Sequence, residues 1–408
     1  MTSPSWRQLG AAPHRLMFFL GAFQAAGVML WWLGDLLGRY TQAYAAPSWT
    51  IPAAWAHAFL MIYGFFPFFI FGFLMTTFPN WLNGRPVTRW SYLPASILMA
   101  GGMLLFYAGL VIDKLLLLVG VLLFLAGWGI GLLALLAILR QSQHPDKQHS
   151  RVTIAGLFMG WLGACAYGLW LFTGAIQFLN FSRIAGIWFF LLPIFLTVSH
   201  RMIPFFSSRV LTAYVIYRPD WILPAMLACA TGHGLLELLG LDAWRGFFDL
   251  PFLALAAWLS YRWDLLRSFQ VRLLAVLHIA FFWLAIALAF YSFQDVALLF
   301  DHAGDFTLGF APLHALGIGF FAAMMLAMAS RVTLGHSGRP LAADALTWTL
   351  FLGLQAAAVL RILPDIGLSI APGLIYPLAA SVWLFSIVSW IWKYGLIYWQ
   401  PRVDGKSG

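Results

Sequence analysis

Runs of apolar residues long enough to cross a bilayer recur twelve times along this chain, and nothing else in it constrains the fold as strongly. A bilayer core offers no water to unpaired backbone groups, so each run must close its own hydrogen bonds as a helix. About 20 such residues reach across the hydrocarbon. The runs fall at 14–35, 54–79, 92–112, 115–139, 153–178, 184–205, 221–240, 245–264, 271–293, 307–331, 343–363 and 372–399. Only 9% of the residues are charged and the mean hydropathy is +0.86, whereas a soluble domain carries about 25% charge. The expectation is an all-α, polytopic membrane bundle of about twelve helices, with residues 1–408 forming a single integral membrane domain. Trp31, Trp32, Trp81, Trp90 and Trp399 fall near run ends, as interfacial anchors do. No charged leader with a small-residue cleavage site precedes the first run, so no cleaved signal peptide is expected.

The charges support the helix count. If each run crosses once, 18 of the 23 basic residues fall on the side of the N-terminus. The other side receives only Arg39, Lys114, Arg183, Arg245 and Arg361. The positive-inside rule then makes the basic side cytoplasmic, with both termini on it. One missed helix would scramble this asymmetry. The net charge of +9 is thus a matter of membrane orientation and calls for no nucleic-acid partner; the partners expected from it are membrane lipids.

The chain has two cysteines, Cys165 and Cys229, both in apolar runs and in neither a CxxC nor a CxxCH pattern. This excludes covalent haem c and a cysteine-clustered metal site, and leaves two small buried hydrophobes. Ser-His-Asp order, a phosphate loop and HExxH are all missing. The apolar runs show no paired acids, and few carboxylates are expected to be buried, which argues against a proton-coupled transporter.

Ten histidines remain. His57 lies near the outer end of the second run, and His314 within the outer third of the tenth. Both are expected roughly 5–10 Å below the outer surface. Neutral imidazoles at matching depth can be the trans axial ligands of a haem iron; a histidine bonded to a backbone carbonyl is the ordinary alternative. His233, flanked by Gly232 and Gly234 with Glu237 one turn on, is a competing ligand. His278 reads as a hydrogen-bonded core residue, and His144 and His149 as residues of a solvated loop. His302, with Asp295, Asp301 and Asp305, reads as an acidic outer loop. A second group gathers at the cytoplasmic ends: His14 and Arg15, His200 and Arg201, Arg331 and His336. Three His and three Arg at one level could bind copper, haem propionates or a small anion. Snorkelling side chains meeting lipid phosphates give the same pattern.

Pro67 and Pro193 fall inside the second and sixth runs and predict kinks there. The second run ends in Asn83-Gly84-Arg85-Pro86 and the tenth in Ser337-Gly338-Arg339-Pro340, while the sixth ends in Ser208-Arg209. A threefold repeat of four helices would produce that echo, and so would shared turn chemistry.

Three phrases resemble the NnrS family of haem- and copper-containing membrane proteins. They are His14-Arg15-Leu16-Met17-Phe18, Arg201-Met202-Ile203-Pro204-Phe205-Phe206, and Ser330-Arg331-Val332-Thr333-Leu334-Gly335-His336-Ser337-Gly338-Arg339-Pro340-Leu341. His314-Ala315-Leu316 and Phe78-Pro79-Asn80-Trp81 fit as well. The resemblance implies a bacterial inner-membrane protein tied to nitric oxide metabolism or protection from nitrosative stress, often beside denitrification. It carries over His57, His314, His14 and His336. The chain departs from the family in the second run, where Phe59 and Leu60 stand in place of a second His and a Glu. If that pair serves a copper or a second haem, this member has lost the centre. His200 lies outside the family pattern. Haem–copper oxidase subunits offer a fold-level analogy, with twelve helices and a haem held by histidines of helices 2 and 10; a shared fold does not carry function by itself.

The leading expectation is a haem b protein that handles or responds to nitric oxide. His57 and His314 would be its axial ligands, with Arg15, Arg201 and Arg331 lining an inner site beside His14, His336 and His200. A six-coordinate haem would transfer electrons, whereas nitric oxide binding needs an open or displaceable ligand, so turnover is left open. The rival is an anion or copper permease without haem that uses the inner His/Arg cluster. A membrane sensor or assembly factor is a third reading.

Overall fold

The computed structural model describes residues 5–41, 44–300, 308–367 and 371–405. Asp301, His302, Asp305, Thr307 and Lys406, which entered the expectations above, lie outside them. The described residues contain helices and turns and no strand. Ten helices are long and apolar enough to cross a bilayer. They are α1 (Pro13–Tyr40), α2 (Ala53–Trp81), α3 (Arg89–Val111), α4 (Lys114–Gln141), α5 (Gln148–Thr173), α6 (Ile176–Val210), α9 (Arg272–Phe300), α10 (Ala311–His336), α11 (Ala345–Ile366) and α12 (Pro372–Trp399). The two remaining expected spans, α7 (Ile222–Leu238) and α8 (Gly246–Arg262), have 17 residues each, or about 26 Å of helix. Arg245, in their connection, pairs with Asp295, 23 residues along α9 from Arg272. The α7–α8 turn therefore lies toward the far end of α9, along which α8 packs.

The polytopic helical class is as the sequence implied, but boundaries moved. Gly174 takes a φ of +74° and ends α5, and α6 then begins at Ile176, eight residues before the expected start. Gln177, Asn180, Ser182 and Arg183 look like loop by polarity, yet they form the first turns of α6. His149 is not in a solvated loop; it sits 4% exposed in the first turn of α5.

The chain divides into two compact units. The first comprises Met1–Leu191, Ala329–Pro340 and Ile387–Gly408, and the second Leu192–Met328 and Leu341–Ser386. In the first unit, α3 and α4 touch backbone to backbone. A Cβ at Gly102 would lie 2.6 Å from the Gly120 carbonyl oxygen, and one at Gly127 2.6 Å from that of Ala95. Small residues at such a crossing let two membrane helices gain van der Waals contact where the hydrophobic effect offers no drive.

Helices α2, α6 and α10, four apart in chain order, share one irregularity. Each contains a π-helical turn in its first half: Leu60–Gly64, Ala185–Leu191 and Ala315–Ala322. Pro67 and Pro193 stand just after the first two turns. A proline has no N–H to return to the preceding turn, and a wider turn absorbs that loss. The kinks expected at these prolines are therefore π-helical turns just ahead of them. In the first unit, the Tyr63 hydroxyl from the π turn of α2 donates to the Ser182 carbonyl of α6 at 2.6 Å. In the second, Phe195 of α6 packs on Phe320 and Phe321 in the π turn of α10, and the Trp283 indole fills the space over Gly319.

These turns carry the threefold pattern better than the Gly-Arg-Pro echo does. α2 and α10 do end alike: the Gly84 N–H bonds the Pro79 carbonyl, and the Arg339 N–H that of Leu334. Yet the left-handed residues are Asn83 and Gly338, one register apart in the echo. α7 ends the same way, through the Leu241 N–H and the Leu236 carbonyl. That is a recurrent C-cap, not a repeat signature.

Candidate functional site

Three histidine-bearing regions come out of this fold. The first is at the start of α1. Pro13 fits the first helical position, where no donor is needed. His14 and Arg15 then turn into the first unit, each 2% exposed. His14 meets His336, at the end of α10, with ring centroids 4.7 Å apart. The Thr76 hydroxyl spends its proton on the Gly72 carbonyl at 2.8 Å, so His14 Nδ1–H donates to Thr76 Oγ1 at 3.3 Å. This leaves the His14 lone pair on Nε2.

Among the described residues no carboxylate pairs with Arg15. Its Nη1 donates to the carbonyls of Gln400 at 2.7 Å, Tyr398 at 3.2 Å and Gln8 at 3.4 Å. It thus clamps α1 to the chain's C-terminal segment. Arg339 donates to Gln400 Oε1 at 2.6 Å, and Arg402 to the His336 carbonyl at 3.2 Å. Burial pushes the Arg339 pKa down, and the bonds to Asp404 push that of Arg402 up. Arg331 is buried one turn and a half before His336. The result is a basic cluster with two touching imidazoles. Of the six residues expected here, His14, Arg15, Arg331 and His336 share the first unit, whereas His200 and Arg201 belong to the second. There His200 is buried beside Trp263, ring centroids 6.4 Å apart.

The second is a matched local setting that occurs once in each unit, at His57 in the first and His314 in the second, each half-buried at the head of a π turn. His57 stacks on Trp32, centroids 3.9 Å apart and planes 19° from parallel. Arg39 lies 4.9 Å from the Trp32 ring and pairs with Asp35, which also accepts from the Trp49 indole at 2.8 Å. The imidazole plane is thereby fixed. His314 Nδ1–H donates to the Phe310 carbonyl at 2.9 Å. A carbonyl only accepts, so the lone pair is on Nε2, the tautomer that metal-bound histidines adopt. One turn further, a Cβ added to Gly317 would meet nothing within 4 Å. These features fit an axial imidazole beside a flat ligand.

Copper fits less well. Among the described residues no three His, Cys, Asp or Glu side chains converge on a metal position. Phe59 is stacked on Tyr167 at 4.2 Å and Phe106 at 4.9 Å, and Leu60 is fully buried, so packed hydrocarbon fills the two departed positions.

A family model described as NnrS protein matches residues 8–402. The chain belongs to the NnrS family. No curated protein sequence matches it. NnrS membership covers all three regions and both units, so none of the histidines falls outside the matched length.

The third region was foreseen only in part: His233 and Glu237 read from the sequence as a competing ligand and its orienting acid, whereas Asp249, Asp295 and Arg245 do not enter that reading. His233, Asp249 and Asp295 are fully buried in the second unit, and Arg245 is 4% exposed. His233 Nδ1 lies 2.7 and 2.9 Å from the two Asp249 oxygens. Asp249 and not Glu237 orients the ring, and Glu237 is 3.6 Å from Nε2. Arg245 donates to Asp295 Oδ1 from Nε at 3.2 Å and Nη2 at 3.0 Å. Burial works against the Arg245 charge, but Asp295 and Asp242 outweigh it and raise its pKa. The expectation of no paired acids is therefore overturned, and Asp295 is a core residue, not a loop residue. An acid inside an apolar run was the available signal: Asp249 sits in FFDLPF and Asp295 in SFQDVAL. His278 is the hydrogen-bonded core residue expected, its Nε2 3.0 Å from Ser207 Oγ.

Proposed function

We propose that the chain binds haem b and handles nitric oxide in the bacterial inner membrane, as a single integral membrane domain with both termini cytoplasmic. NnrS family membership supports the link to nitric oxide, and the 18-to-5 partition of basic residues supports the orientation. The observation that carries the haem reading is His314: its Nδ1–H is committed to the Phe310 carbonyl, which aims Nε2 chemistry outward beside the open flank of Gly317. His57, held flat by Trp32 at the head of the other π turn, offers the second imidazole. Bound haem would supply a redox-active iron that a small apolar gas can reach through the bilayer. The protein's own part is to hold the His57 plane against Trp32, to set the His314 tautomer through the Phe310 carbonyl, and to keep bulk water away with the aromatic surroundings. Arg15, Arg331 and Arg201, with His14, His336 and His200, remain the proposed inner cationic residues. Arg15 already serves three carbonyls, which makes it a clamp first.

The test is spectroscopic. His57→Ala and His314→Ala should each remove or shift the haem bands of the purified protein, and nitric oxide should perturb the wild-type spectrum. Wild-type bands in both variants would end the ligand assignment. A second reading, an anion or copper permease without haem, draws on the contact of His14 and His336 among Arg15, Arg339 and Arg402. It calls for a colourless protein that binds the anion or copper at that cluster.

A further inference from the structure

Neither reading uses the acid–base network of the second unit. Among the described residues it is built from α7, α8, their connection and α9. The titratable groups facing it are Cys229, His233 and Glu237 of α7, Asp242 and Arg245 of the connection, Asp249 of α8, and Tyr291 and Asp295 of α9. Asp249 stands in the first turn of α8, where the helix dipole favours a carboxylate. Its own N–H donates to the Arg245 carbonyl at 2.9 Å, so Arg245 ties Asp249 through its backbone and Asp295 through its guanidinium into one buried cluster.

Two fully buried carboxylates in one cluster with a single guanidinium are costly to keep ionised together, and a proton on one of them removes that cost. Asp295 Oδ1 is taken up by Arg245, while Asp295 Oδ2 is buried with no hydrogen-bond partner among the described residues. The charges give the same answer. With both aspartates ionised, Arg245 cationic and His233 neutral, the fully buried core carries one uncompensated negative charge. An interior of this kind does not hold such a charge cheaply. One proton cancels it, and at Asp295 Oδ2 that proton also makes the missing bond. A metal ion fits less well, because no three ligating side chains converge among the described residues and Arg245 already occupies an oxygen. Arg245 also pairs at 3.1 Å with Asp242, which is 33% exposed and so connects the network to the surface.

We propose that this network is a proton-exchange site. It takes up one proton from water as an Asp295 O–H donated to Asp249, and releases it by breaking that O–H bond; His233 and Arg245 then hold the two carboxylates. His233 is the second place the proton can rest, since its ring already spans Asp249 and Glu237. Such a site suits a membrane redox or transport cycle that takes up protons, and it stands apart from the haem reading.

The test is pH-stepped infrared difference spectroscopy on the full chain in detergent, with and without haem. Wild type should show a protonated-carboxyl C=O band that grows as pH falls and shifts to lower frequency in heavy water. Asp295→Asn should abolish or displace it, and Asp249→Asn should displace it. A wild type with no titrating carboxyl band would make the network a fixed structural charge cluster and overturn the proposal, whether or not any variant folds. A band left unchanged in both variants would overturn it as well.

Discussion

His14 and His336 stand among Arg15, Arg339 and Arg402, whereas His233 stands among Asp249, Asp295 and Glu237. In the first cluster Arg15 and Arg339 rest on backbone carbonyls and a side-chain amide, and Arg402 pairs with Asp404. The cluster keeps its positive charge and suits an anionic group. In the second cluster, Asp249 and Asp295 are fully buried and Arg245 is the one arginine that serves them among the described residues. The same residue type, a buried histidine, thus acquires different chemistry from what its neighbours can donate. Removing a cation should therefore hurt the second cluster more than the first.

The largest effect is expected at Arg245. Arg245→Leu leaves the Asp295 carboxylate buried without its partner, and breaking a buried pair this way costs about 3–5 kcal/mol. Thermal unfolding in detergent should show it. Adding Asp295→Asn to that variant should recover part of the loss, because the stranded charge is then gone; a fully additive pair would contradict the network. Arg15→Leu strands only neutral carbonyls and should cost about 1.5–3 kcal/mol, the range for hydrogen bonds to charged groups. If it cost more than Arg245→Leu, the contrast between the clusters would fail. Thr76→Val removes the single acceptor of His14 Nδ1–H and should cost about 0.5–1.5 kcal/mol. It should also release the His14 tautomer, readable from the ring-nitrogen chemical shifts of labelled histidine.

Much of the fold was legible because the bilayer admits so few solutions. Apolar run length pointed to the polytopic helical class, and ten of the expected runs are helices long and apolar enough to cross a bilayer. The π turns were not legible. Pro67 and Pro193 announced a disturbance, but a kink and a π turn begin from the same missing N–H, and only packing decides between them. The start of α6 was missed because Gln177, Asn180 and Arg183 look like loop, while the real break is the positive φ of Gly174. At the candidate site, the meeting of His14 with His336 followed from their shared depth. The acid network did not, because Asp249 and Asp295 are 46 residues apart and each alone resembles the frayed edge of an apolar run. Their partners come from two other elements, α7 and the α7–α8 connection, which no periodicity links.

The most direct test of the central claim is the visible absorption spectrum of the detergent-purified protein, oxidised and dithionite-reduced, with iron measured on the same sample. The account predicts sharp reduced haem b bands and close to one iron per chain. A featureless spectrum from folded, haem-supplied protein would contradict it and turn attention to the His14–His336 cluster as an anion or copper site.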